Sequence, residues 1–586
     1  MNRLFTTVAA LSAVAAMNAV DFAGGDGTAA NPYQITTAEQ LQAMKDGPSS
    51  HYLLMNDIDL DGVKWTPIGD NAASFTGTFN GGGHIISNLT DDSGVNGFGL
   101  FGRCNDEGVI ENFIITNADL TVGNWCGIVC STNGNWERQG GTIRNVEVRD
   151  SYINGASDIA AIAGCCDGFV ENCRVINTTV ECDGTTAGGI AGCCNGGKKG
   201  HFYDCFFYGN VTAETVVSGI CAQKNLQAER TVPEIKNCVV YGNITGTGAG
   251  ANTAGITAED TWWDGNTNPQ LIDNCCSFAS LRGGMVGGIN GNGQMGITTN
   301  CYVTGDITVT TSFNADLPWS GGISATCYNP TLSNVYFSGK TINASGSTAA
   351  KIGAILGRQW DTTTLSNAYY SDECGASAVG EDIVGMTVEN VEALLPEQMT
   401  TLANFKFSEP SRWQIVEGET TPFFANQTAP LKVTEATTDR VGGTCSADLE
   451  RVIVIGSISE AIYNDVEIAD GKWTMEFASD DVIEGETLTL IGIDKGKMPS
   501  MVTLAKVELG TGGTAIVENT KAIEIKVIAN KAVFGMEAPY AICNLAGANV
   551  KAGVAEEVSL DGLAAGCYIV TAEISGNKVS TKIIVK

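Results

Sequence analysis

The side chains best placed to meet a ligand are four tryptophans that recur at one offset in a repeating phrase. Trp136, Trp262, Trp263 and Trp360 each fall six to nine residues past the start of a short Gly/Ala-Leu/Ile unit. In a stacked repeat, residues at a shared offset share one edge, and indoles in line offer a contact surface for sugar rings or protein anchors. Asp264 and Asp361 flank two of these tryptophans and can bind sugar hydroxyls or Ca²⁺ if their loops are open. The competing reading folds each indole down over its own long loop. Trp125 and Trp319 precede the unit and belong to a neighbouring corner.

Catalytic sets are harder to assemble. The histidines are His51, His84 and His201, and the chain has no His-Glu-x-x-His, so zinc-peptidase chemistry lacks its ligands. His84 reads as a satisfied structural residue. His201 follows Lys198-Lys199-Gly200 and suits a base acting on an acidic sugar, or more simply a solvated turn. Asp57 with Asp59, and Asp480 with Asp481, are carboxylate pairs of the kind acid/base catalysis needs. With 65 acidic residues such pairs are common, and nothing near either one supports it. The doublets Cys165-Cys166 and Cys193-Cys194 are the best metal candidates, yet no His accompanies them in phase. No catalytic residue, metal site or cofactor is therefore assigned.

The tryptophans must be held by whatever the repeat folds into. The unit reads Gly99-Leu-Phe-Gly102, Gly127-Ile-Val-Cys130, Ala161-Ile-Ala-Gly164 and Gly189-Ile-Ala-Gly192, and continues from Gly219, Gly255, Gly288, Gly322 and Ala354. Successive starts lie 28, 34, 28, 30, 36, 33, 34 and 32 residues apart, a period that marks a solenoid. A second phrase interleaves, an Asn or Asp before an apolar alternation: Asn112, Asn145, Asn172, Asp204, Asn237, Asn274, Asn300, Asn334 and Asn367. Short β-branched and aromatic runs between Gly, Asn and Thr are strand-turn signals. Two or three short strands per unit fit one coil of a parallel β-helix. Stacking then places each Asn above the last at a bend, where its amide can bond the next and its backbone tolerates the left-handed region.

Cysteine follows the same logic. The chain has 20, of which 17 fall between Cys104 and Cys374, and Cys173, Cys205, Cys238, Cys275 and Cys301 each follow a ladder Asn or Asp. Inward thiol ladders are the expectation, because free Cys packs as a small hydrophobe. In-register parallel strands are expected to hold such thiols slightly too far apart for disulfides.

Composition bounds the partners. A net charge of −32 makes nucleic acid and anionic membranes poor ones. Residues 1–19 read as a signal peptide, with Arg3 ahead of the apolar Leu4 to Ala16. No other window approaches 18 consecutive apolar residues, so no membrane span is expected.

Three stretches resemble known families. Gly24-Gly-Asp-Gly-Thr28, Asn56-Asp-Ile-Asp-Leu60, Trp65-Thr-Pro-Ile-Gly69 and Gly83-His-Ile-Ile-Ser-Asn-Leu89, taken with the unit at Gly99, resemble the GLUG-repeat proteins. These are bacterial surface proteins and the flanking regions of IgA-peptidase-type enzymes. That resemblance implies a right-handed parallel β-helix, with an N-terminal cap and first coils over 20–98 and repeats over 99–385. Residues 386–429 are expected to cap its C-terminal end, through a helical Thr387 to Met399 and through Trp413, Phe423 and Phe424. Residues 430–510 resemble a bacterial Ig-like β-sandwich. In 511–586, Leu560-Asp-Gly-Leu-Ala-Ala-Gly-Cys-Tyr-Ile-Val570 and Lys582-Ile-Ile-Val-Lys586 resemble the type A sorting domain of type IX secretion cargo, a second small sandwich. The expectation is an all-β, secreted or cell-surface protein: a non-enzymatic adhesin for glycan or a partner protein, exported by the type IX machinery. The alternative is a carbohydrate-active β-helix enzyme, a polysaccharide lyase or glycoside hydrolase.

Overall fold

A computed structural model describes residues 20–585 apart from 135–137, 195–199, 227–232, 263–269, 295, 312–317, 329–330, 348–349, 360–361, 383–384, 459–460, 463–465, 478–481, 509–525, 529–530, 545–547, 561, 565 and 575–576. The proposed signal segment and Asp480–Asp481 lie outside it.

Apolar residues at every second strand position, repeated once per coil, stack into two long parallel sheets. One has 25 strands and the other 17, and every pairing within both is parallel. A single coil shows the plan. Thr142–Arg149 and Tyr152–Gly155 belong to the larger sheet, Ser157–Ala160 and Ala163–Cys166 to the smaller, and the chain then returns at Phe169–Glu171. Register is kept rung after rung: Ile110, Ile143, Val170, Phe202, Ile235 and Ile272 are direct partners in turn, each at most 1% exposed. Identical positions therefore fill one continuous interior, as a solenoid requires.

The Asn ladder sits where the first strand of each coil bends. All nine expected positions have φ between 47° and 60°, and so does Asn390 at 51°. Amide-to-amide bonds run up the column, from Asn145 to Asn112 at 2.9 Å, Asn172 to Asn145 at 2.8 Å, Asn274 to Asn237 at 2.8 Å and Asn367 to Asn334 at 3.1 Å. Asp204 accepts from Asn237 at 2.9 Å but has no amide to pass on.

The thiols stack as expected, with one exception. Cys173, Cys205, Cys238, Cys275 and Cys301 follow the bend in successive coils, are at most 1% exposed, and each lies near the carbonyl of an inward residue one coil back. Val335 and Ala368 continue the column. Cys165 and Cys193 instead form a disulfide between adjacent coils. The expectation that register holds such pairs apart fails here, because the Cα atoms are 4.7 Å apart, inside the range a disulfide spans. This bond also removes one Cys of each doublet from any metal-ligand role.

The ends differ from each other. At the N-terminus, helix Ala38–Ala43 is capped by the Thr37 side chain and buries Leu41, and Met44 of the turn that follows is buried beside it. Towards the other end, Thr387–Leu394, expected to be helical, is one more strand, paired in register with Thr364–Ser371. Asn390 explains the difference: it takes the left-handed bend, and its amide donates to Asn367 at 2.9 Å, so tertiary register overrides helix propensity. Trp413, Phe423 and Phe424 lie along the flank, where Trp413 and Phe424 pack on Tyr302 and Trp413 packs on Tyr336.

Residues 432–506 form two four-stranded antiparallel sheets around Trp473, Met475, Val454 and Leu490. The second of these sheets carries Leu449–Gly456 and Thr487–Asp494. Its outer face, with Ile453, Ile455, Ile491 and Ile493, shares a core with Ile176, Phe206, Val239 and Tyr241 of the solenoid. An ion pair seals the contact, Arg451 gripping both carboxylate oxygens of Glu147 at 2.7 and 2.9 Å. Among the described residues the C-terminal segment, Lys526 to Val585, is a single five-stranded antiparallel sheet where a second two-sheet sandwich is expected.

Candidate functional site

The tryptophan set falls mostly outside the described residues. Trp136, Trp263, Asp264, Trp360 and Asp361 are not described, and of Trp262 only the backbone is, at the end of Thr257–Trp262 and in register with Leu226. The flanking strands are described. Each of the three segments joins a strand of the 17-stranded sheet to the next strand of the 25-stranded sheet, as between Cys130–Asn133 and Thr142–Arg149. These strands are stacked coil on coil, so the described residues that flank the three segments lie at one corner of the rod.

The strands that follow this corner carry a cluster the sequence reading did not assemble. Phe169–Glu171, His201–Tyr203 and Glu234–Lys236 are consecutive rungs, with Val170, Phe202 and Ile235 inward. Alternation turns their outer residues to the opposite face, as two columns: Phe169, His201, Glu234 and Glu171, Tyr203, Lys236. His201 is thus the first residue of a strand, not a solvated turn. Its ring stacks on Tyr203, centroids 3.8 Å apart and planes 10° off parallel, with Phe169 4.8 Å away on the next rung. Its Nε2 lies 2.7 Å from Oε1 of Glu171.

The third rung closes the network. Glu234 accepts from the Tyr203 hydroxyl and, at 2.7 Å, from Lys236 Nζ, which also stands 5.4 Å from the Tyr203 ring centre. The Lys236 and Tyr203 hydrogen bonds hold the Glu234 carboxyl below its usual range, and the Glu234 contact holds Lys236 above its own. Burial, then the Glu234 hydrogen bond, raises the Tyr203 phenol. At neutral pH the set therefore holds an ionised Glu–Lys pair and a neutral phenol. Side-chain exposures of 17% for His201, 37% for Glu171, 43% for Glu234 and 31% for Lys236 leave all four reachable from solvent.

Charges continue along the rod on either side. Arg144 pairs with Glu111 at 2.7 Å before the cluster. After it, Arg412 of the flanking segment holds both oxygens of Asp273 at 3.1 Å. The signal for this face was present as two polar-apolar-polar triplets, His201-Phe-Tyr203 and Glu234-Ile-Lys236, following Phe169-Val-Glu171 at the coil period; which side of each triplet faces outward is settled by register.

The other candidates resolve as structure. Asp57 accepts from the Ile85 amide at 2.9 Å and lies 3.2 Å from His84 Nδ1, and Asp59 accepts from Asn88 at 2.7 Å. Trp319 is half-buried under the Arg358 guanidinium, 4.8 Å from its ring centre. Trp125 is 49% exposed on a left-handed backbone, φ 56°. Among the described residues no three His, Cys, Asp or Glu side chains converge on a common point that could hold a metal ion.

No family model matches the chain. It is 33% identical over 174 residues to "Halomucin" of Haloquadratum walsbyi, a match covering 26% of this chain and 2% of that protein. It is 37% identical over 157 residues to the "Putative Gly-rich membrane protein" of Evansella cellulosilytica, covering 25% of this chain and 18% of that one. The chain thus spans a small part of the curated relatives it matches. Among solved structures, the "putative immunoglobulin A1 protease" from Bacteroides ovatus aligns over 69% of this chain and 95% of its own, at 19% identity and a TM-score of 0.36. No helix among the described residues is long and apolar enough to cross a membrane.

Proposed function

We propose that this chain is an exported, surface-displayed β-helix that binds glycan without transforming it. The observation that supports this reading most is the six-residue face from Phe169 to Lys236. There, ring surfaces stand beside hydrogen-bonding groups that neighbouring side chains hold in place, an arrangement suited to grip sugar rings and hydroxyls. Trp136, Trp262, Trp263 and Trp360 are the further ligand contacts of this reading, with Asp264 and Asp361 to take sugar hydroxyls or Ca²⁺. The GLUG-like front, the signal-like 1–19 and the relatives named for a halomucin and a membrane protein support a place outside the cell. The tail 511–586 serves as a type IX sorting domain, removed after passage through the outer membrane, and 430–510 as an Ig-like module.

The test is the full-length protein on glycan and host-protein arrays. Saturable glycan binding is expected, lost in the Trp262→Ala, Trp263→Ala double variant at unchanged melting temperature. Unfolding of that variant without loss of a ligand would make both indoles packing residues. Deleting 511–586 in the native host is expected to trap the protein in the periplasm.

One observation favours the enzymatic alternative, the 2.7 Å contact of His201 with Glu171, which suits a general base. Release of reducing ends or unsaturated sugars from any bound polysaccharide would establish it.

A further inference from the structure

We infer that the Phe169–Lys236 face takes a neutral polysaccharide, lying along the rod axis; the inference rests on the glycan-binding reading above. Charge decides the class of sugar. Glu171 and Glu234 are two carboxylates, and Lys236 is engaged with one of them at 2.7 Å. The surrounding chain carries −32. Among the described residues of this face, a uronic acid, sulfate or phosphate meets two carboxylates and one ammonium already paired with Glu234, and desolvating a like charge is unfavourable. Neutral hydroxyls find the opposite: carboxylate oxygens and the Tyr203 phenol oxygen to accept from them, and the remaining protons of the Lys236 ammonium to donate. The Phe169, His201 and Tyr203 rings supply the apolar surface against which the C–H face of a pyranose packs.

Topology decides the direction. Across the strands this face ends at the bend carrying Asn172, Asp204 and Asn237. Just past it the outward residues are Phe206 and Val239, buried under the sandwich at 1% and 0% exposure, so a long ligand has no room there. Along the axis the face stays polar and half-exposed, with Arg412 seated on Asp273 at its next rung. The column of Glu171, Tyr203 and Lys236 passes in register to Asp273, Thr299, Ser333 and Ser366, and Ser333 donates to Thr299 at 2.9 Å. Rungs about 4.8 Å apart set these groups in a row over which successive sugars find a new partner.

The experiment measures retention of the full-length protein by immobilised neutral polymers (mannan, xylan, laminarin) and acidic ones (polygalacturonate, chondroitin sulfate). Neutral polymers are expected to bind, and Tyr203→Ala and Glu234→Gln to weaken them on the order of tenfold; Tyr203→Phe should lie between. Ser333→Arg, three rungs beyond Lys236, should weaken a long neutral chain while sparing a disaccharide. Thermal melting confirms that each variant folds. A preference for acidic polymers overturns the charge argument, and a Ser333→Arg protein that binds long chains normally overturns the axial one. Neutral binding unmoved by Tyr203→Ala and Glu234→Gln removes this face but leaves glycan binding standing. Retention by no polysaccharide removes both.

Discussion

Asn334 shows how much one residue does in this fold. It bends the strand at φ 53°, its amide donates to Asn300 at 3.2 Å and to Ser408 at 2.8 Å, and its carbonyl accepts from Asn367 at 3.1 Å and the Ser408 amide at 2.9 Å. At 3% exposure these bonds are not replaced by water. Asn334→Ala is expected to cost about 5 kcal/mol, from four lost hydrogen bonds of about 1 kcal/mol each and a left-handed Ala of about 1 kcal/mol. Asn334→Gly keeps the bend and should recover about 1 kcal/mol of that. Equal losses in urea denaturation would show that the backbone conformation carries no cost. Such positions were legible in the sequence because few residue types combine a left-handed backbone with a self-pairing amide. The face around His201 was not, since a triplet such as His201-Phe-Tyr203 does not announce which side is inward until its rungs are stacked.

At the level of elements, the strands past the bend carried a signal that alternation alone does not explain. Cys205-Phe-Phe-Tyr208 and Cys238-Val-Val-Tyr241 are apolar at every position, the mark of strands buried on both faces. The structure supplies the second cover, the folded-back segment with Trp413 and Phe424 and the Ile-rich face of the sandwich. Helical periodicity misled at Thr387–Leu394 because one Asn in phase with the ladder outweighs local propensity. The interface predicts that a chain ending at residue 428, although it keeps every coil, exposes Ile176, Phe206, Val239 and Tyr241. It should bind a hydrophobic dye and self-associate, while the full chain does neither. A monomeric, dye-negative protein ending at 428 would mean that the sandwich hangs free.

For the whole molecule, the docking of sandwich on solenoid fixes how any bound ligand is presented relative to the rest of the chain, and one carboxylate governs it. Burial raises the Glu147 carboxyl, but the hydrogen bonds and charge of Arg451, joined by Arg149, outweigh it and hold the group below its usual range. A carboxyl with a depressed folded-state pKa contributes stability above its unfolded value, and that contribution is lost as pH falls through the folded one. Docking should therefore persist to below the ordinary carboxylate range of about 4 and loosen only under it. Breaking the pair by Glu147→Gln takes the facing carboxylate from the half-buried Arg451 guanidinium, which should loosen the interface already at neutral pH. Replacing both, Glu147→Gln with Arg451→Met, should restore much of the docking, because the Ile and Tyr contacts around the pair remain. Limited proteolysis between residues 428 and 432, followed from pH 7 to pH 3, reads all three proteins. A single variant as resistant as the wild type at neutral pH would show that apolar contact alone holds the two bodies together.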